Sequence, residues 1–136
     1  MDYTNLIEQA LEAKKRAYTP YSHFSVGAAL LTRDGRIYQG CNIENASYGA
    51  TNCAERTAFF KAVSEGETEF VAIAIVGGMK EQKPVEYAYP CGICRQVMNE
   101  FADADFQVIV AKSIREYKTY MLSDLLPYSF GGEDIR

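Results

Sequence analysis

No apolar run in this sequence approaches the roughly 20 residues that a membrane-spanning helix requires. The N-terminal Met1-Asp2-Tyr3-Thr4 also lacks the basic flank and apolar stretch of a signal peptide, so a cytoplasmic protein is expected. Basic clusters are missing too. Formal net charge is -4 and the isoelectric point about 5.0, with Lys and Arg scattered along the chain. Nothing offers a track for a phosphate backbone, which argues against a long nucleic acid as partner. There is no internal repeat, low-complexity segment or linker, so residues 1–136 are expected to form a single domain. A hydrophobic content of 48% is enough for its core without disulfides. The one histidine, His23, reads as a solvated loop residue rather than a base or a metal ligand.

Thr4 precedes a run in which Leu6, Ile7, Ala10, Leu11, Ala13 and Ala17 recur at helical spacing, with Glu8, Glu12, Lys14, Lys15 and Arg16 largely opposite. The pattern predicts a helix over 4–17, capped by Thr4 and stopped before Pro20. Alternation from Phe24, a turn at Arg33-Asp34-Gly35-Arg36 and a return over 37–42 predict a hairpin. Residues 42–52 suit a loop that presents side chains. Cys53 opens a second helix that Gly66 ends, and Phe70 to Val76 reads as a strand covered on both faces. After a polar connection from Gly77 to Tyr89, a third helix starts beside Cys91 and turns Val97, Met98 and Phe101 inward. Phe106 to Ala111 and Tyr117 to Leu122 read as further strands, and Ser123 to Leu126 as one helical turn before Pro127. Strands interleaved with helices indicate an α/β sandwich.

Four cysteines in a reducing compartment, two of them as Cys91-x-x-Cys94, point to metal or redox chemistry before disulfides. Zinc takes thiolates in a tetrahedron, and catalytic zinc keeps one corner for water. Cys91 and Cys94, three apart at a helix start, can face one metal; Cys53 begins another helix. If the two helix N-termini converge, both dipoles favour the thiolates. Arg56 and Arg95 are placed to donate hydrogen bonds to those thiolates and restore Lewis acidity to a site of net charge near -1. Glu55, two residues after Cys53, is suited to moving protons at the open corner, which a purely structural site does not need. A rival reading is a closed four-cysteine structural zinc that also uses Cys41; otherwise Cys41 is a small core residue.

Cys53-Ala54-Glu55 followed by Pro90-Cys91-Gly92-Ile93-Cys94 matches the zinc deaminase signature in its three-cysteine variant. Together with Tyr21-Ser22-x-Phe24-x-Val26-Gly27-Ala28-Ala29, with Asn42-Ile43-Glu44-Asn45-Ala46-Ser47-Tyr48-Gly49 and with Leu125-Leu126-Pro127-Tyr128-Ser129-Phe130, it resembles the short, tetrameric form of cytidine deaminase over nearly the whole chain. The resemblance implies a three-layer α/β/α sandwich with a central five-stranded mixed sheet. It also implies one Zn2+ per subunit on Cys53, Cys91 and Cys94, with Glu55 as the proton shuttle of hydrolytic deamination in pyrimidine salvage. By the same match Asn42 and Glu44 bind the ribose, Phe24 lines the nucleoside pocket and the Ala54 backbone contacts the base. Tyr48 and Phe130 serve a neighbour's pocket in a homotetramer, Phe130 by stacking on the pyrimidine. Two features depart from the family pattern: Ile93, where Ala is usual, and the longer connection from Gly77 to Tyr89. Alternatives are a deaminase of a related nucleoside such as blasticidin S, against which the Asn42-x-Glu44 pair argues, and a non-catalytic structural-zinc module.

Overall fold

The computed structural model describes residues 2–135. Its elements run α1 (Thr4–Lys14), β1 (Phe24–Thr32), β2 (Ile37–Cys41), α2 (Ala54–Ser64), β3 (Phe70–Met79), α3 (Gly92–Phe101), β4 (Ala102–Ala111), β5 (Tyr117–Met121) and α4 (Leu122–Leu125). The five strands form one sheet in the order β2-β1-β3-β4-β5. Only β3 and β4, which α3 connects, run parallel; the other pairings are antiparallel, so the sheet is mixed.

Strand alternation sorts the core into two layers. On one face Ala28, Leu30, Ile73, Ile75 and Val108 pack with Ala58, Phe59 and Ala62 of α2 and Met98 of α3. Phe59 anchors this layer, its ring centroid 5.1 Å from that of Phe70 and 6.0 Å from that of Phe101. The other face is built from smaller side chains, Ala29, Ala72, Ala74 and Ala111 with Val76 and Ile109, and α1 lies on it through Leu6, Ile7 and Ala10. The sandwich therefore has helix, sheet and helix layers, as expected.

β2 and α2 also meet backbone to backbone. A methyl group at Gly40 would lie 2.4 Å from the Ala54 carbonyl oxygen and 2.5 Å from the Ala58 nitrogen, so the backbone of α2 rests directly on that strand. Cys53 and Glu55 take their positions from this contact.

The hairpin, both central strands and the order of elements agree with the sequence reading, with local corrections. Tyr3, not Thr4, is the N-cap of α1; Thr4 is already helical, and the Asp2 carboxylate accepts its N–H at 2.9 Å. The helix stops at Lys14 rather than residue 17, because the N–H groups of Lys15, Arg16 and Ala17 bond three residues back in a tightened final turn. Lys14 itself is buried, not solvated on the polar face. β3 runs on to Met79, since Gly77, Gly78 and Met79 pair with Val26, Ser25 and Phe24. β4 starts at Ala102, where a bridge to Phe70 extends it before an irregularity in register.

Candidate active site

Cys53 is the N-cap of α2 and Cys91 the N-cap of α3, both in extended backbone. The two helix N-termini converge, so that their unpaired N–H groups and positive dipole ends face the same spot. Cys94, one turn into α3, is buried beneath it. The three sulfur atoms lie within 4.8 Å of one another, with Cys53 Sγ and Cys91 Sγ 3.8 Å apart. Four-coordinate zinc with bonds of about 2.3 Å holds its sulfurs about 3.8 Å apart, so this donor set suits zinc in spacing as well as in softness.

Electrostatics prepare the thiols. The hydrogen bond from Cys94 above all, then those from Arg56 and Cys91, brings the Cys53 thiol down to about 5 against the opposing effect of burial. The same bond and burial push Cys94 well up. A metal takes thiolates, so its binding to these three sulfurs releases protons. Arg56 Nη2 donates to Cys53 Sγ at 3.3 Å, as the sequence suggested. Its Nε is buried without a partner among the described residues. Arg95 departs from the expectation. It donates through Nε to the Pro90 carbonyl at 2.7 Å and through Nη1 to the Leu125 carbonyl at 2.6 Å, bracing the loop before Cys91 instead of touching a thiolate. Replacing Arg56 by Gln is expected to lower turnover about 10- to 100-fold while leaving the unfolding midpoint nearly unchanged; an unaltered rate would discard that role.

Glu55 sits in the first turn of α2 and is only 4% exposed. Burial pushes its carboxyl up to about 7, with the Cys53 charge adding to the shift. It lines a cleft of about 260 Å3 together with Cys53, Cys91, Ala54, Phe24 and Asn42. Val26, Thr51, Asn52, Ile75, Ala88 and Tyr89 complete the walls. None of these six was assigned to the site from the sequence. Period-two alternation along β3 offered a signal for Ile75; Ala88 and Tyr89 come from the long connection, whose path has no sequence signature.

The remaining expected residues divide. The Asn42 amide is engaged with β1, its Oδ1 accepting from the Val26 N–H at 2.8 Å and its Nδ2 donating to the Phe24 carbonyl at 2.9 Å. Glu44 and Tyr48 line an adjoining depression of about 230 Å3 that meets the cleft at Thr51. The Glu44 carboxylate accepts from the N–H groups of Tyr21 at 3.0 Å and Ser22 at 3.2 Å and from the Ser22 hydroxyl. That hydroxyl holds its pKa below the usual carboxylate range. Phe130 is not part of the cleft in its own chain. Its carbonyl is held by Gln96 and Asn99 of α3, and its ring is exposed. Ile93 is exposed rather than packed beside the cysteines. Cys41 lies outside the three-sulfur group, its thiol donating to the Arg16 carbonyl at 3.5 Å.

Residues 1–110 match the profile of the cytidine and deoxycytidylate deaminase zinc-binding region. The chain belongs to this deaminase family. Cytidine deaminase of Halalkalibacterium halodurans is 51% identical over 135 residues, covering 99% of this chain and 98% of its own. The cytidine deaminase of Sporosarcina psychrophila is 48% identical, with 99% and 96% covered. Among solved structures, cytidine deaminase from Burkholderia pseudomallei superposes with a TM-score of 0.86 at 46% identity, covering 96% of this chain and all of that one. The cytidine deaminase from Mycobacterium tuberculosis gives 0.80 at 38%. This deaminase is therefore a hydrolytic enzyme whose Cys53, Cys91 and Cys94 fit one zinc ion per chain.

Proposed function

We propose that this deaminase converts cytidine and deoxycytidine to uridine and deoxyuridine with release of ammonia. The observation that carries the reading is the burial of Glu55 in the same cleft as the three-thiol cluster, two residues after Cys53. Cys53, Cys91 and Cys94 would hold the zinc ion, which would supply the Lewis acidity that makes water nucleophilic near neutral pH. The chain's own groups do the rest. Glu55, with a pKa near 7, takes a proton from the attacking water and gives it to N3 of cytosine as the C4–O bond forms. It then carries the second proton of that water to the amino group, so that the C4–N bond breaks and ammonia leaves. Arg56 holds the Cys53 sulfur and draws off part of its negative charge.

The apolar walls around Phe24, Val26 and Ile75 exclude water from the base. Asn42 fixes the β1 backbone beside it, and its remaining amide N–H, with Glu44 in the adjoining depression, serves the ribose. The Ala54 backbone contacts the base edge. Exposed Tyr48 at 79% and Phe130 at 60% are large surfaces to leave in water, which favours a homotetramer in which they complete a neighbour's cleft. Such an enzyme belongs in the cytoplasm, in pyrimidine salvage. Among the described residues no helix is long and apolar enough to cross a membrane.

The test is ammonia release from cytidine, deoxycytidine, blasticidin S and a short single-stranded DNA. Release from the two nucleosides alone is expected; release from blasticidin S or DNA in their place would overturn the substrate assignment. Cys41→Ser should keep its zinc, whereas Cys53→Ser should lose it. Equal loss would favour the closed four-cysteine module.

A further inference from the structure

Lysines that are scattered in the sequence converge at the end of α1. Lys14, Lys15, Lys80 and Lys83, with a single acid, Glu81, line a cavity of about 440 Å3 floored by Leu11, Ala17, Pro84 and the buried Ser25. This net positive lining belongs to a chain of net charge -4. Lys15 pairs with Glu12 at 3.3 Å, but Lys80 and Lys83 have no carboxylate within ion-pair distance among the described residues.

Lys14 is the informative member. It is 7% exposed, and its ammonium donates to the carbonyls of Met79 at 3.2 Å and Gln82 at 2.9 Å. Two neutral dipoles satisfy two of its three N–H groups, and no counter-charge accompanies it among the described residues. A buried cation in that state gains from an anion brought into the cavity it lines. The rim is fixed before any ligand arrives. A methyl at Gly78 would lie 3.1 Å from Pro84 Cα, so the loop packs on the strand end, and the Lys80 N–H bonds the His23 carbonyl at 2.7 Å. The volume matches small-molecule sites, and the mixture of apolar floor and basic rim asks for a ligand with both characters.

We infer that this cavity, on the side of β1 opposite the Phe24 and Val26 side chains that line the catalytic cleft, binds a phosphorylated small molecule carrying an apolar group. The phosphate meets Lys14, Lys80 and Lys83, and the apolar group rests on Leu11, Ala17 and Pro84. The site is independent of the deamination reading, since it shares no lining residue with the cleft.

Calorimetric titration of the zinc-loaded full chain with phenyl phosphate, inorganic phosphate and phenol tests the assignment. Phenyl phosphate should bind once per chain and more tightly than either fragment. The exposed double variant Lys80→Gln/Lys83→Gln should weaken it at least about ten-fold, the loss expected for charge-assisted contacts, with zinc content and unfolding midpoint unchanged. No saturable binding of phenyl phosphate, binding no tighter than that of inorganic phosphate, or binding that the double variant retains would overturn the inference.

Discussion

Replacing Glu55 by Gln is expected to lower the turnover of cytidine by about four orders of magnitude, the upper end of what one positioned acid/base group contributes. The upper end applies because the same carboxyl handles two successive proton transfers in this account, and Gln can neither take the proton nor return it. The side chain is buried at the head of α2 and closely matched in shape by Gln. Zinc content should stay at one per chain. Stability should hold or rise, because an amide replaces a carboxyl whose charged form is disfavoured by burial. Steady-state kinetics, metal analysis and denaturant unfolding on one preparation separate these effects. A variant that loses zinc along with activity would show Glu55 to be a structural support of the metal site.

The second large effect concerns a residue with no chemistry. Gly40→Ala places a methyl 2.4 Å from the Ala54 carbonyl and 2.5 Å from the Ala58 nitrogen, and both obstacles are backbone. No side-chain rotation relieves this contact, so α2 must shift by roughly an ångström, at a cost of about 1–3 kcal/mol or more. Cys53 and Glu55 ride on that helix. The variant should therefore bind zinc about 10- to 100-fold more weakly, as disturbed metal supports do, besides unfolding at lower denaturant. Gly49→Ala, where nothing lies within 4 Å of the added methyl, is the control and should change neither property. Wild-type zinc affinity in Gly40→Ala would mean that the β2 contact does not position the site.

Chemistry that depends on short sequence spacing was legible before the fold. Cys53 and Glu55 are two residues apart, Cys91 and Cys94 one helical turn apart, and each pair keeps its relation once its helix forms. The hairpin and the apolar strands were legible for the same reason, since alternation and turn residues act locally. What escaped was set by partners distant in the chain. Lys14 reads as a surface lysine until the carbonyls of Met79 and Gln82 arrive from the end of β3, more than sixty residues along the chain. Arg95 sits beside a ligand in sequence, yet the Pro90 and Leu125 carbonyls claim its guanidinium. Gly77 and Gly78 look like the start of a loop, and only pairing with β1 makes them strand. Asn42 carries the family's spacing, but its engagement with the backbone of Phe24 and Val26 emerges from the fold alone.

Zinc-dependent deamination is tested most directly by ammonia release from cytidine as zinc is added back to the metal-stripped chain. The rate should climb in proportion to bound zinc and level off at one ion per chain. Full activity in the stripped protein, or saturation with zinc and no ammonia, would contradict it.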